Sequence, residues 1–149
     1  MEQIDPIRAQ QVWNRVRGGE PPADVLPRLL ALEQEAGQIY AQLAGFPILS
    51  ASRVLARLRE ECVQFIRIYQ GMLALTDGGK APPQPRNSLR GNPEGFLRRC
   101  WDLRQKSIAL LDTGKFPPQL TVTAEQMKSR TEDHCLLLLE LLGWLRAKE

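Results

Sequence analysis

The sequence predicts an all-α protein: a bundle of four long helices preceded by a short one. Three observations carry this. Four segments place apolar residues at spacings of three and four, the signature of one buried helical face. Proline, glycine and capping residues bound those segments. No run alternates with a period of two strongly enough to predict a strand.

The short helix is expected at residues 6–18, with Asp5 as cap, Pro6 in the first turn and Gly18 closing it. A Gly-Gly-Glu-Pro-Pro segment then breaks the chain. The first long helix should span 23–44 and stop near Gly45, and the second 51–77, with Ser50 or Ser52 as cap and Gly78-Gly79 as stop. A linker at 78–93, rich in Pro, Gly and Asn, leads to a third helix at 94–113 that ends near Gly114. After KFPPQL, the fourth should cover 123–147 with Thr123 as cap.

Linker lengths predict the topology. The first and third connections between long helices are short, so each pair should form an antiparallel hairpin. The middle connection is long enough to span ~50 Å at ~3.3 Å per residue. A helix of about 25 residues is ~38 Å long. The linker is therefore able to return along the whole bundle, which predicts two hairpins joined by one crossover; a plain up-down bundle with a slack linker is the alternative.

With 149 residues, 43% of them hydrophobic and 25% charged, the chain reads as a single domain spanning 1–149, with 1–20 as an N-terminal helical extension. Its net charge of +3 comes without a dense Lys/Arg run, so nucleic acid is not an expected partner. Arg53, Arg57, Arg59 and Arg67 fall on several faces of the second helix, and Lys80, Arg86 and Arg90 in the linker; both sets read as solvated surface. MEQIDPIRAQ has no apolar stretch of the signal-peptide kind. LLLLELLGWL is too short to span a bilayer and contains Glu140, so no membrane association is expected. Cys62, Cys100 and Cys135 are widely spaced and lie on or beside apolar faces, as buried thiols of a cytoplasmic protein would. Trp13, Trp101 and Trp144 read as packing residues.

The apolar stripes are interrupted in an informative way. The first helix reads Leu26, Leu29, Leu30, Glu33, Ala36, Tyr40, Leu43; the second Val54, Leu58, Glu61, Phe65, Ile68, Met72, with Gln64 one turn past Glu61. The third reads Leu97, Cys100, Trp101, Arg104, Ile108, Leu111, and the fourth Met127, Thr131, His134, Leu138, Leu141. Each stripe carries one ionisable group near its midpoint: Glu33, Glu61, Arg104 and His134. Any one of them alone would read as a snorkelling or satisfied side chain. Four together predict a shared polar centre, because isolated buried charges are hard to satisfy.

At these residues the chain resembles the ferritin-like, rubrerythrin-type di-metal carboxylate proteins. That family has one Glu on each of two helices and Glu-x-x-His on each of the other two. LEQEAGQIYAQLA is similar to the first ligand helix, with Glu33 as ligand and Tyr40 seven residues on. REECVQF is similar to the first Glu-x-x-His, with Glu61 retained and Gln64 in the His position. CWDLRQKSIALL is similar to the third ligand helix, with Arg104 in the Glu position. SRTEDHCLLLLELLG is similar to the second Glu-x-x-His, with His134 retained and Thr131 in the Glu position. IRAQQVWNRV is similar to the N-terminal extension of some bacterial relatives. The resemblance implies a ferritin-like bundle with a degenerate di-iron site, in which Glu33, Glu61 and His134 are remnant ligand positions. Glu132 adjoins a lost ligand position, but one residue turns a helical side chain by about 100°.

Arg104 places a permanent cation where a metal would sit. It is expected to bridge Glu33 and Glu61, with His134 or Gln64 completing the hydrogen bonds. Three function classes follow. The first is a bundle without cofactor, acting as a non-catalytic structural or interaction module that forms a homodimer or binds another protein. The N-terminal helix, with Ile7, Val12, Trp13 and Val16, must dock on its own bundle or a neighbour. The second is a metal-binding protein or oxidoreductase with a reduced mononuclear site for iron, manganese or zinc, built from Glu33, Glu61 and His134. The third is a small-ligand pocket at the bundle centre, which no residue pattern specifically supports. The sequence holds no Gly-rich phosphate loop, no local Ser/His/Asp signature and no closed Cys/His zinc pattern.

Overall fold

The computed structural model describes residues 22–76 and 90–148, excluding the side chains of 22–24. Four helices make up these residues: α1 (Pro22–Ala44), α2 (Arg53–Ala74), α3 (Pro93–Thr113) and α4 (Pro118–Ala147). No strand occurs among the described residues. The expected short helix at 6–18 and most of the linker at 78–93 lie outside them, as does Trp13.

Local chemistry sets the ends. Of the two candidate caps on α2, Ser52 takes the role: its Oγ accepts from the Leu55 amide at 3.2 Å. Ser50 instead donates to the Pro47 carbonyl within the turn. α2 ends at Ala74, three residues before the expected position. Asn92 caps α3 by accepting from the Gly95 amide at 2.7 Å, and Pro93 occupies the first turn. Gly114 follows α3 with an ordinary φ of −66°, so space rather than backbone freedom requires the glycine. A Cβ there would lie 2.6 Å from the Leu110 carbonyl oxygen.

α4 departs most from expectation. It starts at Pro118, not near Thr123, which lies inside the helix. Pro118 lacks an amide proton that the first turn would leave unbonded anyway. Leu120 and Ala124 extend the buried stripe through this added turn and anchor it.

Directions follow from side-chain pairs. Glu33 meets Cys62 across α1 and α2. Glu35 meets Arg99, and Phe46, just past α1, meets Phe96, so α1 and α3 run antiparallel. Glu94 meets Arg146, and Asp112 meets Lys128, so α3 and α4 are antiparallel. Glu61 meets His134 while Gln64 meets Arg130, so α2 and α4 are antiparallel as well. It follows that α2 and α3 are parallel and occupy diagonal corners with little or no contact. The end of α2 and the start of α3 lie at opposite ends of the bundle, as the linker length predicts. α2 and α4 form the loosest of the four adjacent pairs. No described helix is long and apolar enough to cross a membrane.

The apolar core is in two blocks. One, at the end with the α1–α2 turn, includes Ile39, Tyr40, Leu43, Leu58, Cys62, Leu97, Cys100, Leu138 and Leu141. The other includes Leu26, Leu29, Leu30, Phe65, Tyr69, Met72, Leu111 and Met127. Each fully buried Leu contributes roughly 1.5–3 kcal/mol, so two such blocks can carry a costly layer between them. That layer holds Glu33, Arg104, Ser107, Thr131 and His134, all buried.

Candidate functional site: a polar layer between two apolar blocks

All four ionisable residues that interrupt the stripes lie at this level, but they form two pairs rather than one cluster. Glu33 and Arg104 face each other from α1 and α3, and neither side chain reaches solvent. Arg104 Nη1 donates to Glu33 Oε1 at 2.5 Å, and Nε donates to the Tyr40 hydroxyl at 3.2 Å. Its guanidinium carbon lies 5.5 Å from the Tyr40 ring centre and 5.8 Å from that of Phe65, within cation–π range. The second carboxylate oxygen of Glu33 accepts from the Cys62 thiol at 2.9 Å, and that thiol also approaches the Glu33 carbonyl at 3.3 Å. Gly37, one turn on, lies against the same thiol: a Cβ there would be in van der Waals contact with Cys62 Sγ at 3.4 Å.

Glu61 lies elsewhere than expected. Arg104 does not bridge it to Glu33. Glu61 is half-buried on the α2/α4 side, where Arg57 Nε donates to one oxygen at 2.6 Å and His134 Nε2 faces the other at 3.4 Å. The imidazole stacks on Phe65, centroids 4.6 Å apart, and the Arg130 guanidinium lies over that ring, 4.7 Å from its centre. Gln64 is exposed and accepts from Arg130, so it completes nothing at the centre. Thr131 is buried but donates to the Met127 carbonyl of its own helix at 2.7 Å.

The cause is the rotation of α2. Its buried face is Leu55, Leu58, Cys62, Phe65, Tyr69 and Met72, not Val54, Leu58, Glu61, Phe65, Ile68 and Met72. Cys62 and Tyr69 therefore enter the layer, and Glu61 moves to its edge. Three side chains of the centre were not expected as site residues: Cys62, Tyr69 and Ser107. Arg57, expected as plain solvated surface, is exposed and yet holds Glu61. α3 is also turned slightly, with Leu103, Ser107 and Leu110 buried and Trp101 and Ile108 only partly so. Trp144 is 41% exposed and does not serve as core packing.

The environment fixes protonation. Burial alone would lower the Arg104 pKa, but the adjacent Glu33 carboxylate outweighs it, and the guanidinium is held even further above its usual range. Burial pushes the Tyr40, Tyr69 and Cys62 groups up, so all three stay neutral, and pushes the Cys100 thiol up to about 12. His134 is pushed down to about 3, first by burial and then by the Arg104 charge, with Glu61 working in the opposite direction. Glu61 is lowered despite burial, because the hydrogen bond from Arg57 and the nearby imidazole outweigh it. His134 is thus neutral at pH 7. Its Nε2–H donates to Glu61, which leaves Nδ1 as the bare nitrogen. That nitrogen and Arg104 Nη2 are buried without a hydrogen-bond partner among the described residues.

The donor set does not fit a di-metal centre. Both oxygens of Glu33 are engaged, one by a guanidinium and one by a thiol, and the permanent cation lies in the middle of the layer. No three His, Cys, Asp or Glu side chains converge as metal ligands among the described residues.

Compared with known protein families, curated proteins and solved structures, the chain matches none. The functional reading therefore rests on its own geometry.

Proposed function

We propose that the chain is a ferritin-like four-helix bundle in which the Arg104–Glu33 pair takes the place of a di-metal centre, and that it works as a non-catalytic structural or interaction module. The observation that carries this is the fully buried guanidinium 2.5 Å from Glu33 at the bundle midpoint. A cation held there repels a second cation, while the carboxylate that would bind metal is already neutralised. The up-down-down-up order of helices, with α2 and α3 parallel, supports the ferritin-like reading, since one long crossover is the mark of that topology. The engaged carboxylate and neutral phenols supply no activated nucleophile, and the neutral imidazole has one nitrogen tied to Glu61 and the other sealed in the core.

The test is elemental analysis after anaerobic incubation with Fe(II), Mn(II) or Zn(II). The expected result is substoichiometric metal, unchanged by Glu61→Ala. Near-stoichiometric metal that is lost in Glu61→Ala would overturn the proposal in favour of a mononuclear site at Glu61 and His134.

A further inference from the structure

α4 carries an outer stripe that nothing in the described structure covers. Glu132, Leu136, Leu139, Gly143 and Arg146 are all exposed, Leu136 at 66% and Leu139 at 50%. Their spacings are 4, 3, 4 and 3, those of a coiled-coil seam. Beside the stripe, α3 and α4 leave a groove of about 630 Å³ floored by Leu97, Trp101, Leu138 and Leu142. A flat run of apolar surface on a helix otherwise faced with charge marks an interaction site.

The stripe is complementary to itself when reversed. Around a two-fold axis at the level of Leu139, an antiparallel second copy sets Glu132 opposite Arg146 of that copy. Leu136 then faces Gly143, where there is no side chain, and Leu139 faces Leu139. A Cβ on Gly143 would meet nothing within 4 Å in the isolated chain, so the notch is open to receive a leucine. Glu132 makes no salt bridge with another described residue, while Arg146 meets Glu94 through its Nε and Nη2 but remains 58% exposed. A two-fold interface requires this pattern, in which each patch supplies both halves of the match. A parallel copy would oppose Glu132 to Glu132 and Arg146 to Arg146.

We propose that α4 is the homodimer interface, an antiparallel α4–α4 seam with the adjoining groove bedding the leucines of the second copy. This assignment is independent of what the central layer does. Sedimentation velocity of the full chain from low to high micromolar concentration should show a monomer–dimer equilibrium. Leu139→Glu should be monomeric with unchanged helical circular dichroism. Glu132→Arg and Arg146→Glu should each weaken the dimer by roughly tenfold or more, because each introduces two like-charge contacts. Mixing those two variants should restore a dimer, since the mixed pair has both contacts matched. A monomer at all concentrations would overturn the proposal and assign the stripe to residues 1–20 or another protein. A dimer that survives Leu139→Glu, or variants that fail to pair on mixing, would overturn it equally.

Discussion

The two halves of the polar layer contain the same elements, a carboxylate and a nitrogen base, and treat them oppositely. Between α1 and α3, Glu33 and Arg104 are sealed from water and ionically paired. Between α2 and α4, Glu61 keeps 18% of its side-chain exposure and meets a neutral imidazole at a long 3.4 Å, with an exposed Arg57 as its cation. The difference follows from packing. Cys62 fills the contact between α1 and α2, and the looser α2/α4 seam holds the Phe65–His134 stack and Arg130. A charge in the closed half is therefore structural and cannot be removed alone. A charge in the open half is exchangeable with solvent.

The largest effect should come from unbalancing the closed half. Arg104→Met leaves Glu33 buried without its cation and should destabilise the fold by about 3–5 kcal/mol. Glu33→Leu combined with Arg104→Met removes both charges and should recover most of that loss, because apolar replacement of a buried pair is often neutral or better. Urea unfolding of the two variants checks this. Equal losses in the single and double variants would show that packing, not charge balance, dominates at Arg104.

Acid should act on the open half. His134 has its folded pKa pushed down to about 3, below the unfolded value near 6.5. The unfolded chain then binds the proton first. The stability contributed by the neutral ring is complete above pH 6.5 and is lost as pH falls toward 3. Glu61, also lowered, adds a loss in the same direction further into acid. Between pH 6.5 and 5 the interpretation is clean, because this is the only histidine in the chain. Unfolding free energy should fall by roughly 2 kcal/mol across that interval. His134→Phe, which keeps a ring on Phe65, should flatten the slope there; an unchanged slope would place the titration outside the layer.

A smaller change is expected at the seam between the halves. Cys62→Ala removes the thiol that donates to Glu33 Oε2 and leaves a buried carboxylate oxygen without a donor. A loss of about 1–3 kcal/mol should follow, with Cys62→Ser recovering part of it.

These contrasts also show what the sequence made legible. The α1 stripe was readable from Leu26 to Leu43, each expected residue being buried, although Val25 and Ile39 are buried beside it and widen the face. Glu33, Arg104 and His134 are buried at one level, but with Glu61 the four form two pairs and not the single centre expected. α2 admitted two phases one residue apart that share Leu58, Phe65 and Met72. Reading Val54, Glu61 and Ile68 in place of Leu55, Cys62 and Tyr69 moves three of six positions by about 100° each, and turns the buried face by roughly half that angle. The heptad Leu55-Leu58-Cys62-Phe65-Tyr69-Met72 was present in the sequence, but a carboxylate in a ligand-like position outweighed it. The partner of Arg104 was then misassigned in part: α2 sends Cys62 inward, and Glu61 reaches only the edge. Pairing among four helices depends on such rotations, and no single stripe determines them.

The smallest stability effect sharpens the contrast most. Arg57 is exposed, and its ion pair with Glu61 is of the surface kind that rarely changes folding stability measurably. Arg57→Ala should leave the urea midpoint unchanged. It should nevertheless raise the Glu61 pKa, since the Arg57 hydrogen bond is the largest influence lowering it. Carboxyl-carbon NMR titration of Glu61 in both proteins reads this directly. A shift without a stability change would mean that the open half tunes a proton without bearing on the fold. A parallel loss of stability would mean that Arg57 helps to close the layer, and the two halves would then differ in degree and not in kind.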